Sequence, residues 1–141
     1  MKGSDMAHWL IKSEPSAYAW SQFVKDKKTS WTGVRNAQAA INLRAMKPGD
    51  RCFFYHSNEG KEIVGIAEVA RAAYPDPTDK DGKAVTVDVK AVEPVKKPVT
   101  LAAIKADPRL KDFGLVRQSR LSVVPVSDEQ WKLILKMSEA K

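Results

Sequence analysis

Aromatic and basic side chains are interleaved along this chain in a way that fits the binding of an unpaired nucleobase. An aromatic ring can stack on the face of a base, and ammonium or guanidinium groups can hold the phosphates beside it. The aromatic residues considered for this role are Trp9, Tyr18, Trp20, Trp31, Tyr55 and Tyr74. The basic residues interleaved with them are Lys12, Arg35, Arg44, Arg117 and Arg120.

Trp31 differs from the other tryptophans in its surroundings. It lies in residues 29–33 (TSWTG), a polar turn without apolar periodicity, where a large indole needs a separate reason to be placed. We therefore expect this ring to lie outside the hydrophobic interior and to be covered by a flat heterocycle. The tryptophans expected in the core are Trp9, Trp20 and Trp131.

Reading the edge of a base requires fixed hydrogen-bond donors and acceptors around such a ring. Segments expected to end near one another supply them, and Val34 shapes the turn together with Gly33, which permits a positive φ. The candidate base-binding residues are Ser13, Trp31, Val34, Asn36, Tyr55, Ser57, Gln118 and Ser119. The candidate phosphate contacts are Lys12, Arg35, Arg117 and Arg120.

Structural roles compete with several of these assignments. Asn36 fits equally well as the N-cap of the helix that follows it. Each arginine fits equally well in a structural ion pair, and Arg35 and Arg120 can both brace the turn. In the strand that contains residues 55–57, alternation places His56 on the opposite face from its two neighbours, which we expect to face the pocket.

Counting residues excludes most metal and nucleophile chemistry. The chain has two histidines and one cysteine, and it lacks the HExxH, PCxxC, GxxxxGK and GxGxxG motifs. Cys52 and His56 are four positions apart on one expected strand, or about 13 Å at ~3.3 Å per residue, which is too far for a catalytic dyad. We expect no metal, no cofactor and no catalytic residue.

Net charge points to a polyanionic partner. The 24 Lys and Arg residues exceed the 17 Asp and Glu residues, which gives a net charge of +7 and a pI near 9.5. Nucleic acid is the expected partner. The apolar runs are far shorter than the ~20 residues of a membrane helix, and a lone cysteine fits a reducing compartment. We expect a cytoplasmic protein that does not bind membranes.

The length of 141 residues is typical of one domain. Residues 1–5 (MKGSD) precede a second methionine and resemble a vector-derived leader, so we expect a single domain over residues 6–141.

Hydrophobic periodicity and turn residues divide the chain into strands and short helices. The expected strands cover residues 8–13, 51–57, 62–72, 84–92 and 121–126. The expected helices lie near residues 20–24, over 36–46, over 100–106 with Thr100 as its cap, and after a capping box at 127–130. Gly65, inside an expected strand, predicts a bulge or a close approach of the backbone. Without a βαβ rhythm, this pattern favours an α+β fold with a mostly antiparallel, curled sheet of five to six strands and short flanking helices.

Six ordered motifs resemble the successive signatures of the EVE domain family, essentially from residue 8 to residue 137. They are residues 8–15 (HWLIKSEP), 31–36 (WTGVRN), 53–57 (FFYHS), 64–69 (VGIAEV), 74–76 (YPD) and 116–123 (VRQSRLSV). The resemblance implies a PUA-like pseudobarrel, a fold shared with YTH domains. It also implies a non-enzymatic module that recognises a modified base in DNA or RNA. On that analogy, Ser13 and Trp31 occupy places similar to the pocket serine and first cage tryptophan of a YTH domain.

This chain departs from the family pattern at one place. The stretch 78–84 is short where relatives often carry a longer, aromatic-containing insertion, so the resemblance does not carry over a cage wall from that loop or the base preference that depends on it. We expect a monomer, and any downstream action would belong to a separate effector protein.

Two rival functions remain open at this stage. The related ASCH branch of PUA-like folds includes amidohydrolases that act on acylated cytosine derivatives, and Lys12, Ser13 and Glu14 would be cast in that role. Strand alternation keeps Lys12 and Ser13 from entering one pocket unless the strand breaks near Pro15. The other rival is an accessory protein that binds RNA non-specifically through its basic surface.

Overall fold

Six strands form a single sheet in the computed structural model, which describes residues 7–139. The strands are β1 (His8–Ser13), β2 (Lys28–Ser30), β3 (Arg51–His56), β4 (Glu62–Pro75), β5 (Val85–Thr100) and β6 (Val123–Val126). Their order across the sheet is β2-β5-β4-β3-β1-β6. The leader expected over residues 1–5 lies outside the described residues.

Short helices connect and flank the strands. They are α1 (Trp20–Asp26), α2 (Ala37–Ala45), α3 (Leu101–Ala106), a 3-10 turn (Pro108–Leu110), α4 (Gly114–Arg117) and α5 (Asp128–Glu139). The expected caps are present: the Thr100 hydroxyl accepts from Ala103 N–H at 3.1 Å. Ser127 and Gln130 form the reciprocal capping box, with hydrogen bonds of 3.0 and 3.1 Å. No helix within residues 7–139 is both long and apolar enough to cross a membrane.

The sheet is antiparallel apart from one pair. β1 runs parallel to β3 and antiparallel to β6, and the remaining neighbours are antiparallel. Register shifts interrupt the long β4–β5 ladder at several points. Such bulges bend strands and increase their twist, which curls the sheet. The expected α+β fold with a mostly antiparallel six-stranded sheet is confirmed.

Gly65 marks one of these bulges, at a register shift in both the β3–β4 and the β4–β5 pairings. A Cβ at this position would overlap the ring of Trp20. The expected bulge and close approach both occur, and the absent side chain lets α1 dock on the sheet.

Three differences from the sequence prediction have clear causes. β2 is only three residues long and follows directly on the basic end of α1, so periodicity could not reveal it. β5 extends to Thr100 through Pro94 and Pro98, which normally signal the end of a strand. α4 spans four residues, too few to display a helical pattern.

Candidate nucleic-acid interface

A cavity of about 520 Å³ opens where β1 ends and the chain leaves β2. This size lies in the range of small-molecule sites. Its lining residues, which define the Trp31 cavity, are Lys12, Ser13, Glu14, Ala17, Tyr18, Thr29, Ser30, Trp31, Thr32, Gly33, Val34, Arg35 and Ser122.

Trp31 forms a mostly buried wall of this cavity. Its side chain is 9% exposed and packs in the core cluster, so the expectation that it lies outside the hydrophobic interior is wrong. The cause is the unforeseen strand β2: Trp31 N–H donates to Val87 C=O at 2.7 Å, which continues the pairing with β5. Trp31 is nevertheless one of the residues that line the cavity.

The aromatic neighbours of Trp31 meet it at steep angles. Tyr18 lies 6.4 Å away between ring centroids at 77°, and Phe54 lies 5.8 Å away at 83°. Neither contact is a flat stack, and no other ring among residues 7–139 stacks on the indole. The cavity is therefore the open side from which a planar ligand can approach the indole.

The end of β1 supplies the polar wall opposite the indole. The Ser13 hydroxyl donates to Tyr18 C=O at 2.6 Å, which leaves its oxygen lone pairs available to a ligand donor. Glu14 C=O accepts from Tyr18 N–H at 2.8 Å, so the chain turns immediately after β1. Because the strand ends here, Lys12 and Ser13 line the same cavity, as the proposed break near Pro15 would allow.

Asp76 fixes the turn that carries Trp31. Its carboxylate is buried and accepts from Gly33 N–H at 2.8 Å, from the Thr78 hydroxyl at 2.6 Å and from Arg35 at 3.2 Å. Burial alone would raise the pKa of Asp76, but these hydrogen bonds outweigh it and hold the pKa well below its usual range. Gly33 has the expected positive φ, at 87°.

Lys12 lies between two cavities and is held by a backbone acceptor. Its ammonium group donates to Ser119 C=O at 2.8 Å. Burial lowers the pKa of Lys12. This hydrogen bond links the end of β1 to the segment before β6.

A second cavity, of about 530 Å³, adjoins the first. Its lining residues, which define the Lys61 cavity, are Lys12, Glu14, Tyr55, Ser57, Asn58, Lys61, Leu101, Lys105, Ser119, Arg120 and Ser122. A third, of about 420 Å³, is the Gln118 cavity, lined by Asn36, Gln38, Gln118, Ser119, Arg120 and Leu121.

All of the predicted site residues except Arg117 line one or more of these three cavities. Those in the Trp31 cavity are Lys12, Ser13, Trp31, Val34 and Arg35. Those in the Lys61 cavity are Lys12, Tyr55, Ser57, Ser119 and Arg120. Those in the Gln118 cavity are Asn36, Gln118, Ser119 and Arg120. The predicted base-binding residues Asn36, Tyr55, Ser57, Gln118 and Ser119 do not line the Trp31 cavity, and a base-binding role for them stays a prediction.

Structural contacts engage three predicted site residues, Asn36, Arg35 and Arg117, and also the neighbouring His56. The Asn36 side chain accepts from Ala39 N–H at 2.9 Å, so this residue is the N-cap of α2. Arg35 braces the turn through Asp76, and Arg117 pairs with Asp112 at 3.2 Å on the surface. His56 accepts from Trp20 N–H at 3.0 Å, and Tyr55 and Ser57 line the Lys61 cavity rather than the Trp31 cavity that they were expected to face.

The predicted site left out three contributors to the Trp31 cavity and its support. Glu14 was considered only for catalysis, although a carboxylate just after a strand end is well placed to accept hydrogen bonds from a base. Tyr18 stands edge-on to the indole. Asp76 lies in the 74–76 motif, and an aspartate beside two prolines in a turn was the signal for it. Within residues 7–139, no cluster of His, Cys, Asp and Glu can hold a metal ion.

The fold and the cavity together define a class: a PUA-like α+β domain with an aromatic-walled cavity at the end of β1. The EVE domain profile matches residues 7–137. This chain therefore belongs to the EVE domain family, as the six motifs indicated.

A vertebrate protein is among the relatives of this chain. Thymocyte nuclear protein 1 of Gallus gallus is 36% identical over 168 aligned positions, covering 95% of this chain and 69% of that protein. Since the alignment is longer than the 141 residues of this chain, the relative contains inserted residues that this chain lacks.

Solved structures agree closely with the fold. A protein from Rhodopseudomonas palustris is 60% identical with a TM-score of 0.90, covering 94% of this chain and 93% of that chain. Human THYN1 in complex with DNA containing 5-methylcytosine is 32% identical with a TM-score of 0.89, covering 96% of this chain and 99% of that chain. An ASCH protein from Zymomonas mobilis, at 14% identity and a TM-score of 0.58, shares the fold alone, over 92% of this chain and 94% of that chain.

Proposed function

We propose that this protein is a non-enzymatic module that binds a modified nucleobase in DNA, with 5-methylcytosine as the first candidate, in the Trp31 cavity. The observation that carries the proposal is the Trp31-walled cavity itself, in a fold whose human relative was solved with DNA containing 5-methylcytosine.

Stacking supplies the affinity in this proposal. Extruding a base from a duplex costs a few kcal/mol, and stacking on an aromatic side chain returns about 1 to 3 kcal/mol per base. The two are of similar size, so the indole alone does not secure the complex. Hydrogen bonds to the base edge and phosphate contacts must supply the rest.

Polar groups in the cavity suit an amino-pyrimidine. Ser13 and Glu14 both line the cavity and carry oxygens that can accept hydrogen bonds, and the exocyclic amine of cytosine is a donor. Thymine presents a carbonyl oxygen at the same place. We therefore propose that these two residues favour cytosine derivatives over thymine.

Val34 is the proposed contact for the methyl group. It is 8% exposed and lines the cavity as an apolar wall beside the indole. Burying one methyl gains about 0.8 kcal/mol, which corresponds to a preference of roughly fourfold over unmodified cytosine. A modest ratio is thus the expected signature of a methyl reader of this design.

We propose a cytoplasmic monomer that acts through a separate effector protein. RNA is included as a competing ligand because a pocket that reads one extruded base does not require a duplex.

Binding to duplexes that differ by a single methyl group tests the proposal. Wild-type protein should bind the methylated duplex roughly fourfold more tightly. Val34→Thr replaces a methyl with a hydroxyl and should remove this ratio while binding to unmodified DNA persists. Val92→Thr, the same change at an exposed position on β5, is the control and should retain the ratio. Equal affinity of the wild type for all modified and unmodified duplexes would overturn the proposal.

The amidohydrolase alternative depends on Lys12 as a base. Its ammonium group already donates to Ser119 C=O at 2.8 Å, and catalysis would require that bond to break. Prolonged incubation with acylated cytidines followed by mass analysis separates the two functions. An unchanged mass supports the binding module, whereas loss of the acyl group establishes the enzyme.

A further inference from the structure

The Lys61 cavity continues directly from the Trp31 cavity. The two share Lys12, Glu14 and Ser122 as a common wall. A strand whose base occupies the first cavity would therefore pass its backbone into or along the second.

Positive charge is concentrated around this second cavity. Lys12, Lys61, Lys105 and Arg120 line it, against a single acid, Glu14. None of the ion pairs formed among residues 7–139 involves Lys61, Lys105 or Arg120. These charges are uncompensated in the protein, and a polyanion can neutralise them.

The walls of the cavity are tied together by the backbone. Leu101 N–H donates to Lys61 C=O at 2.8 Å, and Ser57 N–H donates to Ser13 C=O at 2.9 Å. Lys61 itself has a φ of 45°, a left-handed conformation that is uncommon for a residue with a side chain. The basic groups are thus presented by fixed segments from four parts of the chain.

Tyr55 adds a polar group to the lining of the Lys61 cavity. Its side chain is only 3% exposed, yet its hydroxyl has no hydrogen-bond partner within the described part of the chain. Every fully buried side-chain nitrogen or oxygen there is hydrogen-bonded, so this hydroxyl reaches the open space of the cavity. A tyrosine hydroxyl is protonated at neutral pH and can donate, and burial raises the pKa of Tyr55 further.

We propose that the Lys61 cavity binds the phosphodiester adjacent to the base held at Trp31, with Lys61, Lys105 and Tyr55 as its ligands; this rests on the proposed function. The assignment moves the main phosphate contacts away from Arg35 and Arg117, which are engaged with Asp76 and Asp112. Contacts of this kind position the strand and carry no sequence information.

Salt dependence is the first test. Lys61→Gln/Lys105→Gln removes two charges from the cavity. The plot of log K against log salt has a negative slope, and its magnitude should fall by roughly 1.4 to 1.8 in this variant. Relative to about 1 M salt, this change in slope amounts at about 0.1 M salt to a loss of affinity of about 25-fold or more, for methylated and unmodified DNA alike. The ratio between the two DNAs should stay unchanged.

The matched control is Lys132→Gln/Lys136→Gln on α5. Its Trp131 stacks on His8, at the opposite end of β1 from Lys12. This variant removes the same charge and should change the slope by much less. Equal slopes for the two double variants would show that general surface charge is responsible and would overturn the proposal.

DNA in which a single phosphate is replaced by an uncharged group shows which phosphate the Lys61 cavity binds. Replacing the phosphate on either side of the methylated base with a methylphosphonate should weaken wild-type binding on one side. The Lys61→Gln/Lys105→Gln variant should be insensitive to that replacement. Equal sensitivity in both proteins would overturn the phosphate assignment while leaving base recognition intact. A wild type without any base preference would instead refute the proposed function.

Discussion

Asp76 and Gly33, 43 positions apart in the chain, are joined by a hydrogen bond of 2.8 Å from the glycine N–H to the aspartate carboxylate. This bond connects the loop after β4 to the turn after β2. Trp31 is held by β5 on one side, and Asp76 fixes the turn on the other. The position of the indole therefore depends on a buried carboxylate that holds two cavity-lining residues, Gly33 and Arg35, without lining the cavity itself.

Replacing that carboxylate should loosen the turn. Asp76→Asn keeps the size of the side chain but loses charge-assisted hydrogen bonds, and we expect the free energy of unfolding to fall by about 2 to 3 kcal/mol. Because the pKa of Asp76 is lowered in the fold, its stabilisation is present above the ordinary aspartate pKa and is lost only as pH falls through the folded value. Urea unfolding of both proteins at neutral pH measures the difference.

Asp112→Asn provides the comparison for this variant. Asp112 pairs with Arg117, and both side chains are largely exposed, so its loss should change stability by no more than about 0.5 kcal/mol. Equal effects of the two substitutions would contradict a bracing role for Asp76.

His56 should make stability depend on pH. Burial lowers the pKa of His56 despite the opposing charge of Glu62, and the neutral ring accepts Trp20 N–H at 3.0 Å. The unfolded chain then takes up the proton more readily, so this stabilisation is complete above the unfolded histidine pKa of about 6.5 and declines as pH falls below it. His56→Gln should lose less stability than the wild type between about pH 7.5 and about pH 5.5. Parallel losses in the two proteins would exclude His56 as the source.

Gly65 and Trp20 should be energetically coupled. Gly65→Ala places a methyl group where the Trp20 ring lies, and overpacking of this kind costs about 1 to 3 kcal/mol. In a Trp20→Ala background the clash is absent, so the double variant should be less destabilised than the sum of the single changes. Gly82→Ala, which meets no atom within 4 Å, should show no coupling to Trp20. Additive effects of Gly65→Ala and Trp20→Ala would show that the ring moves aside freely.

Local signals in the sequence predicted much of the fold. Thr100 and the Ser127–Gln130 pair are caps because short polar side chains at those places satisfy free backbone N–H groups. Gly65 marked a close approach because a missing side chain inside a strand usually serves one. The parallel pairing of β1 with β3 could not be predicted in this way, since it depends on how α1, β2 and α2 cross over between them.

The candidate site was predicted in its parts more than in its arrangement. Trp31, Ser13 and Val34 do line one cavity. The indole is buried because β2 pairs with β5, and this pairing was not predicted because it covers only three residues. Asn36 and Arg35 carry structural bonds that the sequence left as alternatives. Lys61 and Lys105 drew no attention because lysines in a turn and at a helix end are usually solvated, and only the fold brings them to one cavity.

The four indole N–H signals in a nitrogen–proton NMR spectrum test the central claim most directly. Trp9 is bonded to Asp50 at 3.0 Å, and Trp131 stacks on Phe53 at 3.9 Å, so both serve as internal references. On titration with DNA containing 5-methylcytosine, the Trp31 signal, assigned from Trp31→Phe, should shift strongly while these two stay in place. Binding that saturates with the Trp31 signal unmoved would contradict recognition of the base at this indole.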